Sequence, residues 1–121
     1  MMKRLAVASL FLALSCAGAS ASICYVTELP LLAEAGVQVA HMPPIKDASP
    51  VTVSSTSAAY GPLTGDTKMV RIECDVVVSI AFGTSGGSAP TATTSNMRMA
   101  ASSPEYFKVP PSSFISFITN N

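Results

Sequence analysis

The chain has 121 residues, with seven Lys+Arg against seven Asp+Glu, 12% charged residues and 49% apolar ones, which bounds it to one domain. Neutral balance and sparse charge remove the electrostatic footprint needed to bind nucleic acid or an anionic membrane surface, and the high apolar fraction argues against disorder. One His, no Trp and three Cys leave little material for metal ligation or acid/base chemistry, so the expectation is a chain with no enzymatic activity, cofactor, metal or small-molecule substrate.

Lys3 and Arg4 precede an apolar run over residues 5–14, and a small-residue segment follows to Ala21. This is the three-part layout of a secretory signal peptide, with cleavage expected after Ala21 and Ala19 as second choice. The run is too short for a stable membrane span, which takes about 20 residues as a helix. A lipoprotein processed at Cys16 fits less well, because Ala13 and Leu14 reverse the usual large-then-small order. The alternatives are an N-terminal extension or a hydrophobic arm kept in an assembly. Residues 1–21 are therefore set apart as signal-like, and residues 22–121 as a single β domain. Five bases against seven acids give that body a net charge of −2.

All nine prolines fall in the body, and helices of ordinary length hardly fit between such breakers. In chain order, apolar-rich strand candidates occupy residues 23–29, 37–41 and 51–56, and residues 31–35 leave room for one short helix. Turn signals separate them at Pro43-Pro44 and residues 47–50, with further turns at Gly61-Pro62 and Gly65-Asp66. The clearest pattern covers residues 69–82, where Val70, Ile72, Cys74, Val76, Val78, Ile80 and Phe82 take every second position. Period two with β-branched residues predicts strand with one buried face, and the length predicts a break near Asp75. A Gly/Ser hairpin loop follows at 83–88. Residues 90–96 are either a plain connector or a solvent-facing loop that contacts a neighbour. Further strands are expected at 105–109 and 114–118, separated by Pro110-Pro111, with Tyr106, Phe107, Phe114, Phe117 and Ile118 mostly in the core. No internal repeat is visible. The sum is an all-β fold, a small antiparallel β-sandwich or barrel of roughly six to eight short strands.

Cys24 and Cys74 form the candidate disulfide. In an oxidising compartment they could close a loop of about 50 residues, worth about 4 kcal/mol on the loop-entropy model. The competing reading makes Cys74 a small buried hydrophobe on the inward face of its strand.

Gly83-Thr84-Ser85-Gly86-Gly87 matches the nucleophile elbow G-x-S-x-G in form only. No helix-forming sequence follows Ser85 and no His lies downstream, whereas the elbow needs both. A chymotrypsin-like order of His41, Asp75 and Ser85 can be drawn, but the body is too short for two barrels. His41 stands alone without ligand-spaced Cys or carboxylates and reads as a surface or interface residue. The carboxylates are spread singly, so no acid/base pair is visible.

The order of segments carries one further signal. Tyr25-Val26-Thr27-Glu28-Leu29-Pro30 comes first, then Met42-Pro43-Pro44, Val70-Arg71-Ile72, an acidic turn and a strand ending Ala81-Phe82-Gly83. Pro90-Thr91-Ala92-Thr93, then Glu105-Tyr106-Phe107-Lys108-Val109 and a closing apolar strand complete it. From Tyr25 to Ile118 this resembles a family of small tailed-bacteriophage virion proteins that carry Y-V-T-E-L-P, V-R-[IV], A-F-G, P-T-A-T and E-Y-F-x-V segments in that order. The chain departs from them in its signal-like extension and in a longer Gly/Ser-rich loop after Gly83.

The resemblance implies a virion structural protein, a multi-copy head decoration or cement protein whose partners are copies of itself and other virion proteins such as the major capsid protein. The alternative expectation, from the signal-like segment and the cysteine pair, is a secreted or periplasmic binding or adhesion domain.

Overall fold

The computed structural model describes residues 20–34, 37–40 and 42–121, and among these the chain forms strands and turns with no helix. The strands are β1 (Ser22–Leu29), β2 (Leu31–Glu34), β3 (Val37–Ala40), β4 (Lys46–Val53), β5 (Ala58–Tyr60), β6 (Met69–Cys74), β7 (Val78–Phe82), β8 (Met97–Met99), β9 (Glu105–Lys108) and β10 (Ile115–Thr119). Eight of them make two antiparallel four-stranded sheets, ordered β4-β1-β6-β9 and β5-β10-β7-β8, and β2 pairs with β3 as a separate ribbon. Most of the expected signal-like segment, residues 1–19, lies outside the described residues.

The two sheets bury a common core. The first contributes Cys24, Val26, Val51, Val53, Val70, Ile72 and Cys74, and the second Val78, Ile80, Met99, Ile115 and Phe117, with Leu63 and Val109 closing it from loops. Burying each of these side chains is worth about 1.5–3 kcal/mol as an upper estimate. The alternating run over residues 69–82 thus lines one core from both sides. It breaks after Cys74, and residues 75–77 carry the chain from the first sheet to the second.

Several expectations are corrected. Residues 31–34, where a short helix had room, form β2 and pair with β3, whose Val37 and Val39 favour an extended backbone. The turn expected at 47–50 is instead the first half of β4. Pro50 is tolerated there because β4 is an edge strand and the missing N–H faces away from the ladder. β5 and β8, three residues each, are too short for alternation to reveal them. The aromatic group near the C-terminus divides. Phe117 is fully buried and Phe107 packs against the core, yet Tyr106 is 56% exposed. Tyr106 and Phe107 are consecutive in β9, so the pleat sends them to opposite faces.

The outer faces of the two sheets differ. On the second sheet, Ser79 and Ser116 alternate with core residues and so point outward, but both are fully buried. The 90–96 loop is tied to this sheet: Asn120 Nδ2 donates to Ser79 Oγ (2.8 Å) and to the Thr94 carbonyl (3.1 Å). Farther along, Ala92 N–H donates to Ser57 Oγ at 2.8 Å, and Ala92 itself is buried. Small side chains on the sheet let the loop approach. The loop is therefore a cover over its own sheet, with Thr91, Thr93, Thr94 and Ser95 left exposed.

Cys24 and Cys74 are directly opposed in the β1–β6 ladder and form a disulfide, with Cα atoms 4.0 Å apart and both residues buried. It joins positions 50 residues apart. Replacing both cysteines with alanine should lower unfolding free energy by on the order of 4 kcal/mol relative to the oxidised chain. Urea denaturation checks this, and an unchanged midpoint would refute it.

Candidate interaction surface

Alternation along β1 sends Cys24, Val26 and Glu28 toward the core and Tyr25 and Thr27 outward. Glu28 is thus a carboxylate at a core position, fully buried near the end of the strand, beside a register irregularity between Val26 and Glu28 against β4. Its oxygens are satisfied by neutral donors. Tyr60 OH donates to Oε1 (2.8 Å), and the Thr64 N–H (2.9 Å) and the Thr67 hydroxyl donate to Oε2. The Thr64 and Thr67 hydroxyls are also 2.7 Å from each other.

This set of bonds fastens the connection between β5 and β6 onto β1. At its start Gly61 has φ +133°, and a Cβ there would meet the Ser113 carbonyl at 2.9 Å, so the close approach of the two loops requires glycine.

Burial pushes the Glu28 carboxyl up, but the bonds from Thr67, Thr64 and Tyr60 outweigh it and hold the group below its ordinary 4.5. Burial, reinforced by the hydrogen bond to Glu28, pushes the Tyr60 phenol up to about 12. Both groups keep their usual ionisation at neutral pH, Glu28 charged and Tyr60 neutral. The Lys46 ammonium stands 5.5 Å from the centre of the Tyr60 ring, close enough for a cation–π contact.

On the other side of the first sheet lies an open face. Its centre is the outward pair Arg71 and Glu73 of β6, joined by a 2.8 Å ion pair. The ladder sets Tyr106 of β9 beside Arg71, and Tyr25 of β1 beside Glu73. Glu73 raises the Arg71 guanidinium above its ordinary value, with a smaller contribution from Tyr106. Thr27, Thr52 and Pro50 extend the face, and Tyr25 remains 43% exposed. Tyr and Arg offer large contact area with polar ends, the residue types that dominate binding energy at protein interfaces. Lys68 and Lys108 flank a groove over Val109, Pro110 and Pro111 at the margin of this sheet.

The residues singled out in the sequence are dispersed. Ser85 sits in a turn closed by Gly87 N–H to the Thr84 carbonyl (3.0 Å), and its hydroxyl donates to the Pro111 carbonyl at 2.8 Å. Asp75 accepts from the Ile23 N–H at 2.8 Å and precedes β7, whereas Ser85 follows it. A five-residue strand therefore separates the two, about 17 Å of extended chain. His41 lies outside the described residues. Among the described residues, no group of three His, Cys, Asp or Glu is placed to hold a metal ion.

Glu28 was missed in the sequence, although it shares the parity of Cys24 and Val26 on β1. An acidic residue at a core-facing step of a strand was the available signal. No protein-family model, curated protein or solved structure matches the chain.

Because the folded carboxyl titrates below its unfolded value, Glu28 contributes stability that is complete above about pH 4.5 and is lost as pH falls through the folded value. Glu28→Gln sets an amide N–H₂ against the donors of the site and should cost about 2–3 kcal/mol at neutral pH. It should also flatten the acid limb of the stability curve. Denaturation midpoints between pH 7 and pH 3 test both; parallel curves for variant and wild type would contradict the assignment.

Proposed function

We propose that the chain is a non-catalytic structural subunit of a tailed-phage virion, a small β-sandwich present in many copies that packs against copies of itself and against other virion proteins such as the major capsid protein. The observation that carries this reading is the asymmetry of the two sheets. One outer face is closed by the chain's own 90–96 loop, and the other presents Tyr25, Arg71, Glu73 and Tyr106 to solvent. A domain that works by surface contact needs one such face, and a neutral, aromatic-bearing one suits packing among proteins.

The segments that carry the resemblance support the same reading, since they build the frame of the fold. The Tyr25 segment is β1, the Val70-Arg71-Ile72 segment is β6, and Ala81-Phe82-Gly83 ends β7. The P-T-A-T segment is the cover of the second sheet, and Glu105–Lys108 is β9.

A second reading is favoured by the Cys24–Cys74 disulfide. Such bonds form and persist in oxidising compartments, which suits a secreted or periplasmic binding or adhesion domain, cleaved near Ala21. Mass spectrometry of purified particles should find the chain at stoichiometric levels; its absence from them would overturn the virion reading. Intact mass of the natively produced chain without reductant separates the alternatives further. A product beginning at Ser22 and lacking the two thiol hydrogens favours export, and one beginning at Met1 or near Tyr25 with free thiols favours cytoplasmic assembly.

A further inference from the structure

We infer that the outer face of the first sheet is self-complementary and pairs two copies of this chain face to face about a two-fold axis. The inference rests on the reading of the chain as a surface-contact protein, and it adds the partner, the face and the symmetry.

Arg71 and Glu73 are consecutive outward positions on β6, so their side chains lie one above the other, about 7 Å apart along the strand. Tyr106 stands level with Arg71 on one side, in β9, and Tyr25 stands level with Glu73 on the other side, in β1. The four residues therefore form a diagonal figure: cation with tyrosine to one side, anion with tyrosine to the other.

An axis lying in the interface, perpendicular to the strands and midway between positions 71 and 73, exchanges the two levels. It sets Arg71 of each copy over Glu73 of the other, giving two reciprocal ion pairs at the centre. It lays Tyr25 over the partner copy's Thr27, which shares the level of Arg71. It lays Tyr106 over the exposed Pro104 of the other copy, the residue next along from the last pair of the β6–β9 ladder. The opposite choice, an axis along the strands, would stack like charges and is disfavoured by their repulsion.

Charge complementarity thus selects a second copy with a defined orientation. The Arg71–Glu73 bond within each copy survives, so the interface holds four alternating charges in place of two isolated pairs. The sheets pack aligned, as two-layer β structures do. An isologous contact of this kind closes on itself and gives an even-numbered assembly.

Charge exchange tests the arrangement, read by sedimentation velocity on the oxidised full-length chain, with circular dichroism to establish that each variant is folded. The wild type should form a dimer or an even-numbered assembly built on it. Arg71→Glu alone makes the face doubly negative and Glu73→Arg alone makes it doubly positive. Each should weaken self-association by at least about a hundredfold. Mixed in equal amounts, these two variants should associate again as a heterodimer, and the double exchange Arg71→Glu with Glu73→Arg should self-associate like wild type.

A monomeric or odd-numbered wild type overturns the inference, as do single variants that associate normally or a mixture that stays monomeric. These outcomes are independent of the virion reading. Particles lacking the chain would leave the dimer standing, and a monomeric chain found in particles would remove only the dimer.

Discussion

The antiparallel register of β1 against β6 governs both surfaces of the first sheet. With Cys24 opposite Cys74, Val26 opposite Ile72 and Glu28 opposite Val70, one face receives a disulfide, an apolar pair and a buried carboxylate set against a valine. The same register puts Tyr25 opposite Glu73 and Thr27 opposite Arg71 on the other face. A slip of β6 by one residue would turn its side chains over, exposing Val70 and Ile72 and burying the Arg71–Glu73 pair, and the same slip of β1 would expose Val26. The apolar pattern and the disulfide thus lock the register from one side while the charged pair resists its loss from the other.

The buried carboxylate extends this constraint into the loops. Glu28 has no Lys or Arg within ion-pair distance among the described residues, and its charge is carried by the Tyr60 hydroxyl at the end of β5 and by the Thr67 hydroxyl and Thr64 N–H of the β5–β6 connection. Burying a charge is costly unless such donors are in place, so the connection between 61 and 68 must adopt one conformation for the core to close. Gly61 permits the tight approach to Ser113 that this conformation requires. The polar network gives the connection a defined seat that apolar contacts alone would specify less sharply.

Closure of the second sheet follows different chemistry. Its outward positions in β7 and β10 include Ser79 and Ser116, small enough for a polar loop to lie against them, and Ser79 bonds both to that loop and to Asn120. Ser116 is the exception, its hydroxyl buried without a partner. One sheet thus spends its outer face on internal packing, and the other keeps a neutral strip of two tyrosines and an ion pair. That division supports a role in packing among protein surfaces.

Much of this was legible in the sequence because alternation is local. Residues 69–82 revealed a strand pair and its bend near Asp75, since a two-residue period needs no knowledge of partners. The body's strand-rich character followed from prolines and β-branched residues, although residues 31–35 also left room for a short helix where β2 forms, and the parity of β1 already placed Glu28 with Cys24. Other features depended on contacts between distant residues. Residues 47–50 looked like a turn until β4 proved to be an edge strand, where Pro50 loses no ladder bond. Tyr106 looked like core until its strand fixed which face it took. The donors to Glu28 come from residues 60–67, and the partner of the 90–96 loop is a sheet assembled from β5, β7, β8 and β10. The sequence by itself determined which residues alternate and therefore which share a face. Only the tertiary structure decided which face was closed and which left open, because that depends on chain closure over tens of residues, where no local period carries the information.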